Sequence, residues 1–195
     1  MVTSEAIKTG LLEIRWHGRG GQGAVTSAEL VAQAAISENR YGQAFPAFGP
    51  ERRGAPVQAF VRVSNSQPIR NRAEITQPDV VVVLDPGLLP VVNVTIGLKP
   101  DGIAIINTRK TPEEIRREFN IKYRLATVNA NKIAREILGV LITNTTMVGA
   151  LIKSTDVVKL DSLIEPLKNR FGKLADRNFE TMKKAYEQTV VKEKE

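Results

Sequence analysis

Four glycines fall within six positions of the run Trp16-His-Gly-Arg-Gly-Gly-Gln-Gly-Ala24, at Gly18, Gly20, Gly21 and Gly23. Gly18, Gly20 and Gly23 spell G-x-G-x-x-G, the spacing of a dinucleotide-binding turn. Glycine lets the backbone take φ > 0 without a Cβ clash. A helix starting just beyond such a turn offers free N–H groups and the positive end of its dipole to an anion. Arg19 adds a cation, and Gln22 lies between the last two glycines. Phosphate binding is the chemistry this loop suits. A dinucleotide site also needs an acid about 20 residues further on to hold the ribose. That count reaches Gln43; Glu38 comes too early and Glu51 too late. The other reading is a tight turn that packs the first helix against the sheet or a neighbouring subunit.

A second stretch, Phe45-Pro-Ala-Phe-Gly-Pro-Glu-Arg-Arg-Gly-Ala-Pro-Val57, is shaped by Pro46, Gly49, Pro50 and Gly54 around Glu51, Arg52 and Arg53. Adjacent arginines can clamp a carboxylate or phosphate through paired N–H donors. The candidate binding set is therefore Gly18, Arg19, Gly20, Gly21, Gln22 and Gly23 with Glu51, Arg52, Arg53 and Gly54. No catalytic residue and no metal ligand is expected. His17 stands alone at a strand end and reads as a hydrogen-bonded structural residue. Asp85, before Pro86-Gly87, reads as the cap of a turn. It sits at the sheet edge where α/β folds place ligand contacts.

The composition narrows the field. The 195 residues contain no cysteine, which excludes disulfides and thiolate-held iron–sulfur clusters within this chain. One histidine excludes a histidine-rich metal site. Any redox carrier must sit on another chain or be a bound organic cofactor. The net charge of +7 is scattered and often lies beside acids, as in Glu113-Glu-Ile-Arg-Arg-Glu118, and aromatics are only 5%. That is unlike a nucleic-acid module, which clusters its basic and aromatic residues. No apolar run is long enough to span a membrane, and the first residues lack the form of a signal peptide. The cytoplasm is the expected location.

Alternating elements must position these loops. Strands are expected at 13–17, 41–45 and 57–63, and a helix at 24–36. Val80-Val-Val-Val-Leu84 is continuously apolar and suits a strand covered on both faces. Strands at 102–107 and 123–128 repeat the theme. Thr111-Pro-Glu-Glu114 carries an N-cap, a first-turn proline and a capping box, so a helix opens there. Further helices are expected at 130–138, 145–153, 161–170 and 175–188. Asn144 is read as the cap of the 145–153 helix, and Met147 and Leu151 as core. The pattern predicts one α/β domain over 1–195, a three-layer sandwich with a mostly parallel, Rossmann-like central sheet. Its core spans 12–190, and 191–195 form a charged tail.

The glycine loop together with Phe48-Gly-Pro-Glu-Arg-Arg-Gly-Ala-Pro-Val57 resembles the gamma subunit of the 2-oxoacid:ferredoxin oxidoreductases. Val80-Val-Val-Val-Leu-Asp-Pro86, Asn129-Ala-Asn-Lys-Ile-Ala134 and Asn144-Thr-Thr-Met-Val-Gly-Ala-Leu151 fit the same family, and the likeness runs over 12–190. The resemblance implies an enzyme that converts a 2-oxoacid and coenzyme A to acyl-CoA and carbon dioxide while reducing ferredoxin. It implies alpha, beta and delta subunits as partners, with ferredoxin meeting the complex. Thiamine diphosphate would lie between alpha and beta, Mg2+ on other subunits, and (4Fe-4S) clusters on delta and often beta. The gamma chain would hold none of these and would be inactive alone. The Glu-Arg-Arg-Gly-Ala-Pro-Val form is similar to the pyruvate and branched-chain enzymes more than to the 2-oxoglutarate type. Pyruvate:ferredoxin oxidoreductase (pyruvate synthase) is thus expected, with a 2-oxoisovalerate enzyme as the alternative, because some relatives share one gamma subunit. In this setting the two loops would face the other subunits near the active-site channel. Arg19, Arg52 and Arg53 would help hold the anionic part of coenzyme A. The reading from a different class is an independent nicotinamide- or flavin-dependent Rossmann-like oxidoreductase.

Overall fold

The computed structural model describes residues 10–47 and 54–194. Strand β1 (Leu11–Arg19) leads into helix α1 (Ala24–Ser37), followed by β2 (Tyr41–Pro46) and β3 (Pro56–Ser64). Then come β4 (Val80–Val83), β5 (Ile103–Asn107), α2 (Pro112–Phe119), β6 (Arg124–Val128) and α3 (Ala130–Leu138). Helices α4 (Asn144–Thr155), α5 (Ile164–Phe171) and α6 (Ala175–Gln188) precede β7 (Val190–Lys192). Short 3-10 turns occupy Pro86–Leu88, Leu160–Leu163 and Gly172–Leu174.

All the strands join one sheet in the order β2-β3-β1-β4-β5-β6-β7. The centre, β1-β4-β5-β6, is parallel as expected. Both margins are antiparallel, because β3 pairs antiparallel with β1 and β2, and β7 with β6. The sheet is therefore mixed. The valine run explains the centre. Val80 and Val82 enter one core with Ile14, Trp16, Ile103 and Ile105, covered by α1, α3, α4 and α6. Val81 and Val83 enter a second core with Ala104, Ile106 and Leu125, covered by Ile115 of α2 and by Leu88, Val94 and Leu98. A strand buried on both faces has no use for alternation.

β1 is different. Its Leu12, Ile14 and Trp16 are apolar, and between them stand Glu13, Arg15 and His17. That alternation resembles a solvated face, yet Arg15 is 4% and His17 2% exposed. Buried charge needs full satisfaction. Arg15 donates to His17 Nε2 at 3.0 Å and to the carbonyls of Ile75, Val94 and Ile96 at 3.3, 3.1 and 2.6 Å. Arg62 of β3 lies opposite Glu13 in the register and pairs with it at 2.8 Å. It also donates to the carbonyls of Asn71 and Ala73. These two arginines stitch the 65–79 and 86–98 segments over the sheet. His17 accepts a hydrogen bond, as its structural reading expected, and burial followed by the charge of Arg15 pushes its pKa down to about 3.

Local signals hold well. Thr111 accepts from the Glu114 N–H at 3.3 Å, while the Glu114 carboxylate accepts from the Thr111 N–H at 2.7 Å. Some boundaries differ. The helix expected at 161–170 is a 3-10 turn followed by α5, with Pro166 in its first turn, where its missing N–H costs nothing. Asn144 is the first residue of α4 rather than its cap; Thr143 stands at the N-cap position without a side-chain cap bond, and Asn144 Oδ1 accepts from the Thr145 N–H at 2.8 Å. The expected charged tail instead supplies part of β7: Val190 and Val191 pair with Thr127 and Ala126, and Glu193 meets the buried Arg124 at 2.9 Å. Helices α4 and α6 meet closely at Gly149, beside Met182. Among the described residues no helix is long and apolar enough to cross a membrane.

Candidate functional site

The carboxyl ends of β1, β4, β5 and β6 open on one edge of the sheet, where parallel α/β sheets gather ligands. β1 runs two residues further than expected. Gly18 and Arg19 belong to the strand, opposite Val57 and Pro56. A Cβ at Gly18 would meet Leu84 at 3.2 Å, so glycine lets β1 lie against the end of β4. The chain then turns through Gly21 at φ +93° and Gly23 at φ +83°, a left-handed geometry that glycine takes without strain. Gly23 caps α1, and a Cβ there would lie 2.7 Å from Asn144 Nδ2. The first helix thus starts hard against the start of α4.

Asp85 ties this loop. Its Oδ2 accepts from Arg19 Nε and from Gln22 Nε2, both at 2.9 Å, and its Oδ1 accepts from the Gly87 N–H at 2.8 Å. Gln22 Oε1 accepts from the Arg19 N–H at 2.8 Å. Asp85 does cap the turn at Pro86, as its position suggested. It also collects the two polar side chains of a loop 63 and 66 residues away. That second role has no local sequence signature. The Arg19 charge is already paired here.

The second candidate stretch arrives at the same place. Gly20 N–H donates to the Ala55 carbonyl at 3.0 Å, Gly54 N–H to the Gly20 carbonyl at 3.2 Å, and Arg19 Nη1 to the Gly54 carbonyl at 3.1 Å. Gly18, Arg19, Gly20, Gly21, Gln22, Gly23 and Gly54 therefore form one cluster. Glu51, Arg52 and Arg53 lie outside the described residues. Sequence reasoning missed Asn107, which closes β5 and is 1% exposed. Its Nδ2 donates to the Leu84 carbonyl at 2.8 Å and to Asn131 Oδ1 at 3.1 Å, linking the Asp85 turn to α3. A polar residue ending the apolar run Ile103–Asn107 was the available signal.

The register removes the ribose position. Gln43 pairs with Arg62, and Arg62 with Glu13. Gln43 is thus level with the start of β1, at the far end from the glycine loop. It is also two strands away, because β3 is inserted between β2 and β1. Among the described residues no group of three His, Cys, Asp or Glu could hold a metal ion.

Replacing Asp85 with alanine strands three donors at once. We expect a loss of about 2 kcal/mol in urea unfolding, the range for hydrogen bonds to a charged group that is partly exposed. A change below about 0.5 kcal/mol, the size of an ordinary surface substitution, would mean that the loop is held by other contacts.

Residues 13–188 match the model of the pyruvate ferredoxin/flavodoxin oxidoreductase family. The pyruvate/ketoisovalerate oxidoreductases common subunit gamma of Pyrococcus furiosus is 53% identical over 183 residues, covering 93% of this chain and 98% of that protein. The pyruvate synthase subunit PorC of Methanothermobacter marburgensis is 50% identical over 178 residues, covering 91% and 97%. In the crystal structure of pyruvate oxidoreductase subunit PORC from Thermotoga maritima the same fold recurs, with a TM-score of 0.84 and 36% identity over 94% of this chain and 99% of that one.

Proposed function

The chain belongs to the pyruvate ferredoxin/flavodoxin oxidoreductase family, and on that premise we propose that it is the gamma subunit of a pyruvate:ferredoxin oxidoreductase. The enzyme decarboxylates pyruvate oxidatively with coenzyme A, giving acetyl-CoA and carbon dioxide, and passes the electrons to ferredoxin. The observation that carries this reading is identity of about half over nearly the full length of gamma subunits from several such enzymes. The "common" subunit of Pyrococcus furiosus is named for both pyruvate and ketoisovalerate oxidoreductases. A shared role with a 2-oxoisovalerate enzyme is the second reading.

A cysteine-free chain offers no thiolates to a cluster, and its described residues gather no group of three His, Cys, Asp or Glu for a metal ion. The iron–sulfur clusters, thiamine diphosphate and Mg2+ belong in this proposal to the alpha, beta and delta partners, in the cytoplasm. This chain's part is structural, with a contribution to coenzyme A binding. The glycine loop and the 51–54 loop would be presented toward the active-site channel. Arg19, paired with Asp85, would fix the shape of that surface, while Arg52 and Arg53 would supply charge for the phosphates of coenzyme A. An independent dehydrogenase is less well supported, because Gln43, at the counted ribose position, is not an acid and lies at the far end of the sheet from the glycine loop.

A tagged copy recovered from its host should bring down a brown complex. That complex should reduce a viologen dye with pyruvate and coenzyme A, and assay with 2-oxoisovalerate tells whether it is shared. A colourless chain of 21.5 kDa, alone and binding a nicotinamide or flavin nucleotide, would overturn the reading. Within an active complex, Arg52→Ala with Arg53→Ala should raise the KM for coenzyme A about tenfold or more, the loss expected for a two-point charged contact. An unchanged KM with intact assembly would remove the coenzyme A role alone.

A further inference from the structure

Helix α3 ends at Gly139, whose φ of +76° turns the chain away, and the next three residues are Val140, Leu141 and Ile142. They are 48%, 57% and 48% exposed. Three consecutive large apolar side chains in water are costly unless something covers them. The chain returns to the interior at Thr143 and enters α4 at Asn144, the residue packed against Gly23. The exposed run therefore stands on the same edge of the sheet as the glycine loop.

Beside it lies an open cleft of about 600 Å3, lined by Leu141 together with Arg109, Lys132 and Arg135. Among the described residues Arg109 and Arg135 form no side-chain hydrogen bond or ion pair. Glu136 is the cleft's acid, and it is already shared between Lys184 at 3.2 Å and Lys132 at 3.9 Å. The cations outnumber the acid and two of them are unmatched. Asn107 joins this region to the Asp85 turn through its bonds to Leu84 and Asn131. The patch thus continues from the edge already described.

We infer that the cleft of Arg109, Lys132 and Arg135, with the exposed run Val140 to Ile142, docks a segment of another subunit that presents carboxylates next to an apolar side chain. The complementarity is twofold. Apolar cover removes the three side chains from water, and the carboxylates meet arginines whose pairing strengthens as water leaves. The inference rests on the subunit reading given above.

The test uses the assembled complex. Carbodiimide joins an amine to a carboxylate in direct contact. In the wild-type complex it should link Lys132 to an Asp or Glu of a different subunit. The double variant Arg109→Glu with Arg135→Glu, and separately Leu141→Asp, should be retained in the complex about tenfold less than wild type. The isolated variant chains should keep the wild-type melting curve, since these side chains are on the surface. Normal assembly of both variants, with Lys132 linked only to Glu136 or to a second copy of this chain, would overturn the inference. So would normal assembly with a raised KM for coenzyme A, which would make the cleft a small-anion site. If the wild-type chain itself recovers no other subunit, the subunit reading has failed first.

Discussion

Gly149→Ala should destabilise this chain by about 3 kcal/mol, even though alanine is the better helix former by about 1 kcal/mol. Gly149 sits in the middle of α4, where that helix crosses α6. A Cβ at this position would stand 2.0 Å from the Met182 carbonyl oxygen, 2.8 Å from its carbon and 3.0 Å from its Cα. All three are backbone atoms, so no rotamer change makes room. The helices would have to separate, loosening Met147, Leu151, Met182 and Ala185, each fully buried. Overpacking a closed site costs about 1–3 kcal/mol, more when backbone is struck. Urea unfolding checks this, with Gly139→Ala as the comparison. Gly139 has open space around its missing Cβ, so alanine there meets only the strain of φ +76°, about 1–2 kcal/mol. A Gly149→Ala chain no less stable than Gly139→Ala would show that α4 and α6 spread freely.

Acid should unfold the chain through His17. Its folded pKa is about 3, against 6.5 for an unfolded histidine, because the ring is buried and faces the Arg15 guanidinium. A depressed pKa means that the unfolded chain takes up the proton first. The stabilisation is whole above pH 6.5 and is lost as the pH falls toward 3, by up to 1.36 kcal/mol per unit. Near pH 4 this amounts to about 3 kcal/mol. His17→Gln keeps an acceptor for Arg15 and removes the titration. Its unfolding free energy should fall by about 3 kcal/mol less than wild type's between neutral pH and about pH 4. Equal acid losses in the two proteins would mean that His17 is charged in the folded state.

Much of the fold was legible where one residue type served one purpose. The Val80–Leu84 run suits a strand covered on both faces, and Thr111 with Glu114 reads as the opening of a helix. The glycine loop was placed at the right junction, and Gly54 was drawn into the same set. Pairing was not legible. Nothing in Val57 to Val63 says that β3 slides between β2 and β1, yet that insertion moved Gln43 away from the loop it was counted against. Val190 and Val191 sit among charges, and only the open margin of β6 makes them a strand. The cover over Glu13, Arg15 and His17 was not legible, because alternation reports polarity, not burial. The cover is a pair of loops that those same side chains hold down. In the site, Asp85 was half read: a turn cap is local, whereas a partner 66 residues earlier is not.

The Arg15 clasp has a further consequence. One guanidinium binds Ile75 on one segment and Val94 and Ile96 on another. If either segment lifts, the guanidinium loses the hydrogen bonds that segment supplied while the other segment still shields part of it from water. The stabilities of the two segments are therefore coupled through one side chain. Hydrogen exchange should find that loosening one of them lowers protection in the other.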